Sequence, residues 1–170
     1  MNQSIESLLG IPYRYENGPF SYESENEARQ NGINCIALVH LIYDKIFNVL
    51  LPRELRAYEM YCPNSYLDSV SESSSYQIGD IIFVGRKNLT KVLENFNPDF
   101  DKNGNLITKF PLHLAVHAGE RSGSKELFVH ANYDDKKVSV WSEDQLLNNS
   151  RYGQIYARKR LNREILQKSA

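Results

Sequence analysis

The stretch NGINCIALVH, residues 31–40, sets Cys35 directly behind Asn34 and at the head of a long apolar run. A thiol attacks as its thiolate. A helix start favours that form through its unpaired N–H groups and the positive end of the dipole. Asn is among the best N-cap residues, so the spacing predicts Cys35 at the first helical position. Such a nucleophile needs a base, and the chain has four histidines, at 40, 113, 117 and 130. His40 lies five residues along the same helix, about 140° round its axis at 3.6 residues per turn, and points away from Cys35. His113, His117 and His130 fall on two consecutive predicted strands, hence on adjacent ladders of one sheet. His113 and His117 share a face by period 2, and one residue of register decides whether His130 joins them. The chemistry this set supports is acyl transfer to a thiol, with an imidazole moving the proton. The competing reading is packing: free cysteine is among the most buried residue types and is then inert.

The elements that must hold these residues can be read along the chain. SIESLL fits a short helix ended by Gly10, with Pro12 beyond it. EARQNGIN reads as a polar loop leading to the cysteine. From Cys35 to about Phe47 the apolar residues do not alternate, and the run is too long for a typical strand, which predicts a largely buried helix. PRELRAYEMY is a second, amphipathic helix candidate, and the Ser-rich PNSYLDSVSESSSY reads as a surface loop. The second half carries short β-branched or aromatic runs separated by Gly, Asn, Asp and Lys turns: YQIGDIIFVG, LHLAVHAG, ELFVHANY, KVSVWS and QIYARKRL. Helices first and an antiparallel sheet afterwards define the α+β class, here as one domain over residues 1–170. Between Gly85 and Pro111 lie 25 residues with little strand signal, longer than most connections inside a domain. Residues 86–111 are therefore expected to form an insertion or flap that runs into His113.

Composition narrows the partners. A net charge of −1 gives no electrostatic reason to bind nucleic acid or an anionic membrane. The basic group Arg158, Lys159, Arg160 and Arg163 reads as a solvated face. Two cysteines, Cys35 and Cys62, imply no disulfide framework. The opening MNQSIESLLGIPY lacks the basic start and apolar run of a secretory signal, and no stretch reaches the ~20 apolar residues that span a bilayer. The expectation is a protein cytoplasmic as synthesised, without membrane insertion, that reaches any outside target by lysis or a dedicated export route.

Several of these segments together resemble a family. LLGIPYRYENG resembles the Gly-x-Pro-Tyr-x-x-Gly-Gly opening of the NlpC-type cysteine peptidases, papain-like enzymes that cut bacterial cell-wall peptides. INCIALVHLIYDKIFNVLLP is similar to their Asp-Cys-Ser-Gly-Leu-Val nucleophile helix, IGDIIFVG to their Pro-Gly-Asp-Leu-Val-Phe strand, HLAVHAG to their His-Val-Gly-Ile-Tyr strand, and LFVHAN to the strand bearing their third polar residue. The segments occur in the family's order over about half the chain. The resemblance implies a papain-like fold, with Cys35 as nucleophile, His113 as base and acid, and His130 as the group that orients the imidazole. It also implies Tyr13 lining the site, the Cys35 N–H in an oxyanion hole, no metal and no organic cofactor, and a peptidoglycan or other small peptide as substrate. His117 matches a non-catalytic position. Asn34 and Ile36 stand where the family has Asp and Ser, and ENG where it has Gly-Gly. The family's Asp, with the Tyr, can recognise a substrate's free amine; Asn34 keeps the hydrogen bonds and loses the charge. Three other readings stay open: an amidase or acyltransferase with a protein or lipid substrate, a toxin of the same chemistry, and an inactive binding domain.

Within the long connection, DFDKNGNLITKF matches an EF-hand-like loop at Asp99, Asp101, Asn103 and Gly104, but Phe110 stands where a bidentate Glu belongs. A tight Asp/Asn/Gly turn without metal is the favoured reading.

Overall fold

In the computed structural model, which describes residues 2–15, 24–102, 107–162, 164, 165 and 167, the helices come first. They are α1 (Gln3–Glu6), α2 (Glu25–Asn31), α3 (Cys35–Phe47) and α4 (Ala57–Tyr61). Next come β1 (Leu67–Ser69), β2 (Ile81–Gly85), α5 (Thr90–Glu94), β3 (His113–Ser122), β4 (Lys125–Asn132), β5 (Lys137–Ser142), α6 (Glu143–Asn148) and β6 (Gln154–Leu161). The strands form one antiparallel sheet in the order β1-β6-β2-β3-β4-β5. The coarse α+β class is therefore as the sequence predicts.

Helix α3 starts and stops on its own residues. Asn34 Oδ1 accepts from the Ala37 N–H at 2.9 Å, and Asn48 ends the helix in the left-handed region at φ 53°. Its apolar residues pack on the sheet face carrying Leu114, Val116, Val129 and Ala131. Leu38 and Ile42 are fully buried there, and burying side chains of this size stabilises by roughly 1.5–3 kcal/mol each. The opposite face, with Ile82, Val84, Ala115 and Phe128, is covered by Leu146 of α6 and by Tyr152. His117 pairs with Phe128 across the β3–β4 ladder, so period 2 brings His130 onto the face of His113 and His117.

The N-terminal segment lies along the outer edge of β5. The Gly10 N–H donates to Val138 O at 3.0 Å, the Val138 N–H to Ile11 O at 2.7 Å, and the Tyr13 N–H to Lys136 O at 2.8 Å. On its other side the Arg14 N–H donates to Ile33 O and the Ile33 N–H to Pro12 O, at 3.0 and 2.9 Å. Gly32 permits this close approach: its φ is +79°, and a Cβ there would stand 2.9 Å from Pro12 O.

Four sequence readings need correction. EARQNGIN is not a loop, because Ser24 caps the Glu27 N–H and buried Ala28 anchors α2 to the core. The Ser-rich stretch contains β1, a three-residue edge strand whose partner, β6, is distant in sequence. PRELRAYEMY is helical only over α4. The basic group is not a solvated face. Arg158 donates to Ser71 O and Ser74 O at 2.6 and 2.7 Å, Lys159 is buried, and Arg160 grips the fully buried Asp80 at 2.6 and 2.7 Å. A buried carboxylate and chain carbonyls draw these cations inward. Arg163 and the ENG triplet lie outside the described residues. Among the described residues no helix is long and apolar enough to cross a membrane.

Candidate active site

A cleft of about 820 Å³ opens where the start of α3 meets the start of β3. Tyr13, Asn34, Cys35 and His113 all line it. The structure thus gathers four of the five singled-out site residues in one wall, and the fifth, His130, lies directly behind. His113 Nε2 and His130 Nδ1 are 3.1 Å apart, one donating to the other according to tautomer. A second hollow, of about 420 Å³ beside β1 and β6, holds neither thiol nor imidazole.

The start of α3 is arranged so that only part of its N–H set is used inside the chain. Asn34 takes two donors, Ala37 N–H on its side chain and Leu38 N–H on its carbonyl at 2.9 and 3.1 Å. The N–H groups of Cys35 and Ile36 turn to the thiol. Cys35 is a free, partly exposed cysteine. The expected lowering of its pKa is not found. Burial pushes the thiol above its ordinary value, and the opposing backbone hydrogen bonds from Leu114, Cys35 and Ile36, with the Lys109 charge, do not outweigh it. That the Leu114 backbone reaches the thiol places Cys35 beside the residue that follows His113.

Both imidazoles are held neutral. Burial, and then the neighbouring His130, pushes His113 well below its usual value. Burial brings His130 down to about 4, against the pull of Asp135 and Asp134. His113 is stacked on Tyr152, with ring centroids 4.7 Å apart, and Trp141 stands edge-on to His130 at 4.9 Å. Asp135 accepts from Trp141 Nε1 at 3.2 Å, and Asp134 accepts from Asn149 at 3.2 Å and pairs with Arg151 at 3.2 Å. The turn after β4 thereby fixes both rings that wall in the histidine pair. His130 Nε2 is buried without a hydrogen-bond partner among the described residues. Burial also raises the Tyr13 hydroxyl, and brings that of Tyr152 up to about 12.

The other histidines are accounted for elsewhere. His40 is buried with Nε2 3.0 Å from Leu55 O, away from the cleft as its helical spacing predicts. His117 is buried against Glu126, Nε2 to Oε2 at 2.8 Å. Asn34 reaches the cleft, but its Oδ1 is engaged in the cap. Sequence reasoning missed Tyr152, Trp141, Asp134 and Asp135. A lone aromatic inside the polar turn NNSRYGQ was the only hint of Tyr152.

The 86–111 connection borders the cleft with Arg86, Leu89 and residues 107–111. Of the calcium-loop pattern, Asn103 and Gly104 lie outside the described residues. Phe110 is packed against Phe96, Tyr58 and Tyr61, as an apolar residue rather than a ligand position. Among the described residues no group of three His, Cys, Asp or Glu is placed to hold a metal ion.

Comparison with known proteins gives no match, whether to a family model, a curated protein or a solved structure.

Proposed function

We propose that this chain is a cysteine hydrolase of papain-like, NlpC-type architecture that cleaves an amide bond in bacterial cell-wall stem peptides. The observation that supports it best is the single cleft holding Cys35 at a helix start and His113, whose ring is bonded to a second imidazole. In this reading the resting pair is neutral thiol and neutral imidazole. When His113 Nε2–H donates to His130 Nδ1, the bare nitrogen of His113 is Nδ1. The Cys35 proton passes to that nitrogen as Sγ attacks the scissile carbonyl. The imidazolium then hands the proton to the leaving amine, and a water activated by His113 hydrolyses the thioester. The Cys35 and Ile36 N–H groups are the fixed donors for the developing oxyanion. His130 orients His113 and shares its proton's hydrogen bond, so it is a positioning residue.

Purified peptidoglycan incubated with the protein, with products identified by mass spectrometry, tests the reading. New amine and carboxyl ends from the parent and none from Cys35→Ala are expected. Parent and Cys35→Ala giving the same products would remove the nucleophile. Acyl transfer to an added protein or lipid, without wall products, would move the reading to an acyltransferase.

A further inference from the structure

The cleft is electrically one-sided. Of the 20 described residues that line it none is Asp or Glu, while Arg56, Arg86, Lys109 and Arg151 are among them. The chain as a whole carries 21 acidic against 20 basic residues, so the asymmetry belongs to the cleft. Two of the four cations are balanced from outside it: Arg56 pairs with Glu59 at 2.9 Å and Arg151 with Asp134 at 3.2 Å. Among the described residues Arg86 and Lys109 have no carboxylate partner. Lys109 Nζ stands 4.8 Å from the centre of the Tyr15 ring, and its charge reaches the Cys35 thiol. These two cations sit at the two roots of the 86–111 connection, which leaves β2 and enters β3 where Val84 pairs with His113, and both line the cleft. Asn34, beside the thiol, contributes no opposing charge.

We infer that the cleft selects an acyl donor bearing a negative charge, with Arg86 and Lys109 as the specificity-determining residues. The inference rests on the hydrolase reading only for the words acyl donor; the charge preference stands or falls by itself. A carboxylate close to the scissile bond supplies the missing partner. Charge-assisted hydrogen bonds to it are stronger than neutral ones.

Two measurements test this. The first is the ratio of alkylation rates by iodoacetate and iodoacetamide at Cys35, mapped by mass spectrometry at one mildly alkaline pH. It is referred to the same ratio for 2-mercaptoethanol in the same solution. The ratio cancels thiolate content and intrinsic reactivity, so it reads the local field alone. At low salt it should exceed the small-thiol value about tenfold, shrink with added salt, and fall toward that value in the Arg86→Gln/Lys109→Gln double variant. The second measurement does not need a reactive thiol. It is equilibrium binding to Cys35→Ala protein of an acetylated dipeptide ending in glutamate, against the same dipeptide with both carboxyls amidated. The acid should bind about tenfold more tightly, and the double variant should lose the preference. A ratio equal to the small thiol's, a preference unchanged in the double variant, or an acid that binds no better than its diamide overturns the inference. Failure of the hydrolase reading is separately visible: wall peptides stay uncut while both charge preferences persist.

Discussion

Two histidines on one face of β3, His113 and His117, have opposite surroundings. His117 lies inside the face, 2.8 Å from Glu126 and stacked on Tyr76 at 5.2 Å. Arg121 closes on the same carboxylate, and Arg158 sits over Tyr76 at 4.5 Å. Burial pushes Glu126 up, but Arg121 and His117 outweigh it, and the carboxyl lies below its ordinary value. His113 lies at the mouth of the cleft, is stacked on Tyr152, and has another imidazole as its partner. An acid partner ties a ring into a fixed hydrogen-bonded network, here Glu126 with Arg121. An imidazole partner leaves the ring neutral and free to take a proton for the length of one chemical step. The partner, more than the strand or the residue type, separates a structural histidine from a candidate catalytic one.

Exchanging roles should give the largest effect. His113→Ala should lower kcat/KM on a cleaved wall fragment roughly 10³-fold or more, with a folded circular-dichroism spectrum. His117→Gln should change kcat/KM per folded molecule less than about threefold. Comparable losses in both would abolish the distinction.

The neutral pair also makes a claim about acid. His130 titrates near 4 in the fold, below its ordinary 6.5, so between these values the unfolded chain binds more protons. Stability therefore rises with pH through that window and is lost on acidification, by on the order of 3 kcal/mol at its lower end. His130→Asn should flatten this part of the curve of denaturation midpoint against pH. Parallel curves for parent and variant would show that the pair does not set it.

On the other side of the comparison, Glu126→Gln should destabilise by about 2 kcal/mol in urea unfolding, since it strips the charge that Arg121 and the His117 ring share. Activity per folded molecule should hold; if it collapses, the two regions are coupled. The smallest effect is expected at the helix cap. Asn34→Ala should cost about 1 kcal/mol by thermal unfolding, and Asn34→Asp should restore most of it. An alanine variant as stable as the parent would mean that the 2.9 Å cap bond contributes nothing.

Some of this was legible in the sequence for definite physical reasons. Helix α3 announces itself because Asn34 is a strong cap and the apolar run is too long for a strand. The interiors of β2 to β6 announce themselves by β-branched and aromatic runs between turn residues. Helix α2 hides because only Ala28 is buried, and β1 hides because three residues carry no period. The cations of β6 mislead because their acceptors are distant in sequence: Asp80 beside the strand run of β2, and the carbonyls of Ser71 and Ser74 in a stretch that reads as a surface loop. At the site, residue type and strand parity make Cys35 and the three strand histidines legible, while only the family resemblance sets His113 and His130 apart from His117. The raised thiol pKa is not, because it depends on how deeply the helix start is covered. Nor are Tyr152 and Trp141, which long-range pairing brings to the histidines.

The main-chain bonds that lay residues 10–13 along β5 also bear on how the molecule meets copies of itself. A bare outer strand offers a row of N–H and C=O groups on which another chain can add, the first step toward sheet-to-sheet aggregation. Here that row is already occupied on the β5 side. At the far side the sheet ends in β1, three residues long and carrying the charge of Asp68. Among the described residues neither margin offers a long free strand as a template, so a sheet with a wide cleft at one end still presents closed sides to its neighbours.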